Sequence, residues 1–416
     1  MGKGRIRYST LLLGLCWLVY TSSVVGKVNY SANITRVESF FGVTHDMAGL
    51  VSTFYFFAYG AGQIFNGVFC KHYNLKYVVF VGLLLAAVSN LAVGLTPNFE
   101  IVKYLWLING ISLSVLWPCL IRHLSETLPK KDMARASVTL GTTTAVGTFF
   151  IYGASALYAV FAPFQFAFYT ATLLLGGSAI VWIVCYDKWT KKAKEEGQGR
   201  DEVPHPAENV PSQRVKMKTW VFLTVICFCL CAVATNLIKD GLTTWVPSIL
   251  KESYGFDDSF SILLTLCLPL LTIFGNLFGV TVYKKLKNFI LVDVLFFTGA
   301  GLFILVIIGA LQIQNAVITL ICFSLVSFLV GSSNSIITSI FPLQMKGKIN
   351  SGMIAGVLNG CCYIGSTISS YGLGVVAMLG GWLTVFYLML GVCIAICVIG
   401  CIFMALTAIA RKKEKM

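Results

Sequence analysis

Stretches of about 20 apolar residues, each closed off by a short polar segment, recur from one end of the chain to the other. An α-helix rises about 1.5 Å per residue, so a stretch of that length crosses the ~30 Å hydrocarbon core of a bilayer. The pattern predicts twelve such helices. Six lie near 11–31, 47–70, 77–95, 99–121, 134–161 and 164–186. Six more lie near 219–240 (with apolar chain continuing to 250), 260–283, 289–311, 316–341, 351–378 and 382–410. Between the two sets the pattern breaks. A charged, glycine-broken run from Lys191 to Arg200 leads into Pro204, Pro206 and Pro211, the composition of a partly disordered linker. The expected organisation is a six-helix half over 1–186, a cytoplasmic linker over 187–218 and a second six-helix half over 219–416. Equal halves of this kind are related by pseudo-symmetry about an axis along the membrane normal.

Composition agrees. Hydrophobic residues make up 57% of the chain and charged residues 12%, about half the charge of a soluble domain, which excludes a water-soluble fold. The 38 glycines and ten prolines suit membrane helices, which tolerate both better than soluble helices do. The fourteen cysteines fall almost wholly within the spans. Cys227, Cys229 and Cys231 point in diverging directions, and Cys393, Cys397 and Cys401 form a stripe without histidine or carboxylate. Both sets read as packing, so no metal and no cofactor is implied.

Charge adds orientation. With a cytoplasmic N-terminus, all but five of the 31 lysines and arginines fall in cytoplasmic loops, the linker and the tails. Arg36, Lys103 and Lys251 fall outside, and Lys27 and Lys239 lie within spans. Both termini are therefore expected in the cytoplasm of a plasma (inner) membrane protein. The net charge of +14 is mainly this topology signal. Nucleic acid is excluded as a partner, because no clustered, folded basic surface is present. The N-terminus is similar to a signal peptide but is read as a retained first helix. The sequon Asn33-Ile34-Thr35 hugs the end of that helix and reads as a chance match.

An enzyme is not expected. His45, His72, His123 and His205 lie at loops or span ends, and no paired acids, nucleophile elbow or metal-ligand cluster falls within membrane depth. Charges inside spans are costly, and they mark function more often than not. Lys27 and Lys239 occupy equivalent spans of the two halves. Either they face each other near the interface of the halves, or each ends its helix and snorkels outward. The scarcity of basic residues outside, and the apolar chain beyond Lys239, favour the first alternative.

At these residues the chain resembles the organophosphate:inorganic phosphate antiporters of the major facilitator superfamily. Span 7 reads Leu237-Ile238-Lys239-Asp240-Gly241 followed by Trp245-Val246-Pro247, where the family has an aliphatic pair, Arg, one residue, Gly and later Trp-x-Pro. Span 1 reads Lys27-Val28-Asn29-Tyr30, where the family has Arg-Lys-Asn-Phe. Span 2 carries Ala58-Tyr59-Gly60 and Gly67. Span 4 carries Gly110, Trp117-Pro118 and Arg122 at family spacing, and span 11 carries Gly352, Gly356, Tyr363 and Gly365. After span 2, Lys71 stands where the superfamily's loop signature has an aspartate; the loop after span 8 repeats the pattern as Gly279 to Tyr283-Lys284-Lys285.

The resemblance implies an all-α major facilitator fold of 12 transmembrane helices. It places the family's two phosphate-gripping arginines on Lys27 and Lys239, and pocket tyrosines on Tyr20 and Tyr363. A family lysine becomes Gln63, a histidine becomes Thr144 and a tyrosine becomes Asn236. Lysine is a point charge where arginine is a planar fork, so the implied pocket holds an anion but is less shaped for a phosphate monoester. Asp240 follows Lys239 and need not pair with it, since adjacent helical residues point about 100° apart. Asp293, near a helix N-terminus, reads as structural. The expected function is that of a monomer in the lipid bilayer, exchanging an organic anion for inorganic phosphate by alternating access. Rival readings are a proton-coupled organic-acid symporter using Asp240, and a non-transporting sensor of the same fold.

Overall fold

The computed structural model describes residues 7–128, 130–198, 218–344 and 351–413. Among them the regular structure is all helical. In chain order the helices are α1 (Tyr8–Ala32), α2 (Ile34–Phe41), α3 (His45–Phe69), α4 (Leu75–Leu95), α5 (Phe99–Ser114), α6 (Leu116–Thr127), α7 (Lys130–Gly141), α8 (Thr143–Phe161) and α9 (Gln165–Gln198). Then come α10 (Thr219–Tyr254), α11 (Asp258–Thr265), α12 (Cys267–Leu286), α13 (Phe289–Gln312), α14 (Ala316–Ser335), α15 (Phe341–Gln344) and α16 (Ser351–Lys413).

Ten helical stretches among the described residues are long and apolar enough to cross a membrane. Two features reconcile them with twelve spans. The last stretch is two helices run together: Gly381 sits at φ 73, ψ 175, a backbone region that residues bearing a Cβ avoid, and it breaks α16 where spans 11 and 12 meet. The twelfth span lies within α3, inward of the His45 and Asp46 that open the helix; the 25 residues of α3 suffice in length, but Gln63 and Asn66 dilute its apolar character. Spans 4 and 8 are each two shorter helices in succession, and Pro118 in the first turn of α6 fits the break in span 4, since proline is at home where a backbone N–H has no partner. A single π-helical turn, Ile336–Ile340, follows α14.

Helix starts are set by short polar side chains. Asn98 accepts from the Glu100 amide at 2.9 Å, Asp257 from Phe260 at 2.6 Å, and Asn315 from Ile318 at 3.1 Å. Each satisfies a backbone donor that the helix itself leaves open. One boundary departs from the expected linker. Helix α9 continues through Lys188–Glu196 to Gln198, because this run of lysines and glutamates forms helix well, and Glu196 accepts from the Tyr8 and Ser9 amides at 3.0 and 3.2 Å. The rest of that linker, 199–217 with its three prolines, lies outside the described residues, as do Lys346 and Lys348.

The chain forms two compact units: 1–30 with 61–213, and 31–60 with 214–416. Helix α3 contributes to both. In each unit apolar side chains fill the core and also cover much of the outer surface, while several polar side chains are buried. Val160, Leu173, Val184, Leu277, Val317 and Leu379 are among the most exposed side chains, whereas Asn29, Asn90, Asn109, Thr235 and Ser333 are fully buried. Lipid favours this arrangement, since apolar tails solvate leucine and valine while polar groups must find partners between helices.

Candidate functional site

In the second unit, the middle of α10 carries Asn236, Lys239 and Asp240. Helix α10 approaches α16 closely here: a Cβ on Gly365 would lie 2.1 Å from the Val233 carbonyl oxygen, so only glycine permits the contact. The approach brings Ser366 of α16 to Asp240, with Oγ donating to Oδ2 at 2.5 Å. Asn236 Nδ2 donates to the same carboxylate oxygen at 3.3 Å and to Ser366 Oγ at 3.2 Å. Lys239 Nζ lies 3.5 Å from Asp240 Oδ1. Lysine and aspartate therefore do pair, which the 100° helical step left open: the lysine stem is long enough to turn back across it. Lys239 does not end its helix either, because α10 continues to Tyr254. Asn236 is buried, and its Oδ1 has no hydrogen-bond partner.

In the first unit, Lys27 is half-buried on α1 between Gly26 and Asn29. This turn is held by three buried asparagines. Asn29 donates to Asn90 at 2.8 Å, while Asn90 and Asn109 donate to the Gly26 carbonyl at 3.3 and 2.8 Å. Tyr20, two turns earlier and half-buried, packs on Trp117 with ring centroids 4.7 Å apart. Gln63 is half-buried on α3, one turn before Asn66, which donates to Ser114 at 2.9 Å. Thr144 is exposed at the start of α8. In the second unit, Tyr363 is half-buried and meets Tyr59 of α3 edge-on at 5.0 Å. Of the expected site residues, the structure joins Asn236 and Lys239 through Asp240; Tyr363 lies about a turn before Ser366 on α16.

Sequence reasoning missed the asparagine trio and Ser366. The available signal was polar residues inside apolar spans, which act between membrane helices as hydrogen-bonding contacts. Asp293 reads as structural, but the contact that holds it is not the one the helix start suggests. That carboxylate is in the second turn of α13, whose cap is Asn288; it is buried and accepts from Ser333 Oγ, so a side-chain bond, not the helix terminus, holds it.

A second cluster in the same unit gathers around His45, which the sequence leaves at a span end. His45 Nδ1 lies 2.9 Å from Glu38 of α2, and Nε2 lies 3.1 Å from Glu252 at the end of α10. Trp382, just past the Gly381 break, donates to Glu252 at 2.8 Å. The His45 ring also packs against Trp245 and Trp382 at 5.6 and 5.2 Å. Burial works against a charged His45 ring, but hydrogen bonds to Glu252 and Glu38 outweigh it and push the ring up to about 10.

A family model described as Major Facilitator Superfamily matches residues 16–370. The chain belongs to that superfamily. Its similarity to the "Probable sulfoacetate transporter SauU" of Cupriavidus necator is 25% identity over 379 residues, 86% of this chain and 84% of that protein. Similarity to the "Probable hexose phosphate transport protein" of Chlamydia pneumoniae is 22% over 359 residues, 80% and 77% of the two chains. The fold matches that of the xylose transporter XylE from E. coli with a TM-score of 0.74 at 8% identity, covering 94% of this chain and 96% of that one. The organophosphate antiporter resemblance carried by the span 4 and span 7 motifs agrees with these relatives. As a major facilitator, this chain has an unusual loop after α3, with Lys71 in place of the signature aspartate. Arg122 of α6 instead donates to the Cys70 carbonyl, to the Tyr73 carbonyl at 3.4 Å and to Glu126 at 2.6 Å.

Proposed function

We propose that this major facilitator transports a small organic anion, exchanging it for inorganic phosphate by alternating access, with Lys27 and Lys239 as the cations that recognise the anion. The observation that carries the reading is Lys239, half-buried in the middle of α10 and fastened to a polar cluster rather than ending its helix. A cation so placed is expensive to keep within a membrane helix and calls for a functional counter-charge. Support comes also from the two relatives, named for sulfoacetate and for a hexose phosphate, which share an oxyanion group but not a carbon skeleton. That breadth fits a lysine-based site: an ammonium attracts phosphate, sulfonate or carboxylate without demanding the bidentate geometry of arginine. Tyr20, Gln63, Thr144, Asn236 and Tyr363 complete the proposed set. The carrier works as a monomer in the plasma (inner) membrane.

The test is counterflow. Vesicles holding purified protein and internal phosphate are offered sugar phosphates, glycerol phosphate, phosphonates, sulfoacetate and dicarboxylates. Uptake of at least one is expected, with Lys27→Ala and Lys239→Ala each abolishing it while leaving monodisperse protein. Normal exchange in either variant refutes the assignment of that lysine. Uptake driven by a pH gradient into anion-free vesicles would instead identify a proton symporter.

A further inference from the structure

In the structure Lys239 is not a bare charge. Its ammonium lies 3.5 Å from Asp240 Oδ1, and the far side of that carboxylate is tied down by Ser366 at 2.5 Å and Asn236 at 3.3 Å. The two partners are held unequally. Asp240 is fixed to a second helix by a short side chain with two donors, whereas Lys239 reaches it along a four-carbon stem. An anion arriving at Lys239 therefore moves the lysine, not the aspartate.

We propose that Asp240 is a tethered competitor: its carboxylate occupies Lys239 while the carrier is empty and yields it to the transported anion, so that Asp240 sets both anion affinity and the ability of the carrier to return without cargo. This rests on the assignment of Lys239 to the anion site. The consequence for energetics is direct. Without Asp240, an empty site would hold an uncompensated ammonium in a poorly solvated place, and an anion would be needed to neutralise it before the carrier could reorient. With Asp240 the pair is neutral before the anion arrives. Exchange is then favoured but not obligatory, and the incoming anion must outcompete a carboxylate already in place. Asp240 acts through Lys239 and is a positioning residue. The hydrogen bonds from Asn236 and Ser366 keep it from following the ammonium onto the substrate.

The experiment uses full-length protein and inorganic phosphate as the probe, in wild type, Lys239→Ala, Asp240→Asn and Asp240→Thr, each checked for monodispersity. Phosphate binding in detergent is measured by calorimetry. Phosphate efflux from vesicles is measured with and without external phosphate. The expected result is loss of binding in Lys239→Ala and tighter binding, on the order of fivefold or more, in both Asp240 variants. The ratio of exchange to unaccompanied efflux should rise in the same two proteins. A merely structural lesion loosens binding, so the direction of change discriminates. If Lys239→Ala loses phosphate while both Asp240 variants bind it as wild type does, or more weakly, the tethered competitor is overturned and the anion-site assignment survives. If Lys239→Ala binds phosphate normally, or wild type does not bind it, the assignment falls and takes the inference with it.

Discussion

Asn90 illustrates how a single residue organises the first unit. Its amide donates to the Gly26 and Ala86 carbonyls at 3.3 and 2.9 Å, and its oxygen accepts from Asn29. Replacing it by leucine, which is close in volume but apolar, strips Asn29 of an acceptor in a fully buried site. The loss of a buried polar partner costs about 1–3 kcal/mol in soluble proteins and about 0.6 kcal/mol on average between membrane helices. Asn90→Leu should therefore lower the detergent melting temperature by a few degrees. It should also weaken transport, because Lys27 sits in the turn that the trio holds. Unchanged melting would show that the network contributes nothing. The sequence made the lysines legible through their cost in an apolar span, and the motifs around them through spacing. Partners were harder to see. Asn29, Asn90 and Asn109 are separated by some 80 residues, and only the packing of α1, α4 and α5 makes them neighbours. Ser366 likewise hid in a serine-rich run of α16, of which one member reaches Asp240.

Helix ends carry the second argument, since four elements converge on His45. Glu38 comes from α2, His45 from the first turn of α3, Glu252 from the last turns of α10 and Trp382 from the second segment of α16. A proton on His45 lets one ring serve two carboxylates, with Lys251 one residue from Glu252 and itself bonded to Asp258 at 2.9 Å. His45 is held up to about 10, against 6.5 for an ordinary histidine. A raised histidine gives stability that is complete below the unfolded value and is lost as pH climbs through the folded one. The fastening of these helix ends should thus weaken between roughly pH 6.5 and 10, never on the acid side of that window through this group. Melting measured from pH 6 to 10.5 should show the decline in wild type, by a few degrees, and a flatter profile in His45→Gln. Identical profiles would mean that the ring is neutral and the contact incidental. At this scale the sequence spoke clearly for helices and poorly for their interruptions. Twenty apolar residues predict a span, but the Gly381 break is encoded by a Gly380-Gly381 pair within a chain rich in glycine. The helical form of 187–198 was not legible because charge alone does not distinguish a solvated helix from a coil.

At the scale of the whole molecule, twelve spans were legible because the bilayer imposes one length on every crossing, whatever the neighbours do. Which side faces the cytoplasm is a different kind of information, written in lysines and arginines that make few contacts. Translocating a short basic loop is unfavourable, so the side rich in these residues stays in. Lys284, Lys285 and Lys287 close α12, Lys188, Lys191, Lys192 and Lys194 line the end of α9, and Arg411 and Lys412 end α16. By the same alternation, Lys103 near the start of α5 and Lys251 near the end of α10 are expected on the opposite side, and each has an acidic partner: Glu100 for the first, Asp258 for the second. A fluorescent protein fused after Met416 should therefore be bright and a phosphatase there inactive, while a phosphatase inserted after Phe256, in the loop between α10 and α11, should be active. Reversal of that pattern would place the His45 cluster on the cytoplasmic side. It would also reverse the face on which its pH dependence is felt, because the bathing pH outside a cell varies far more than the buffered pH within.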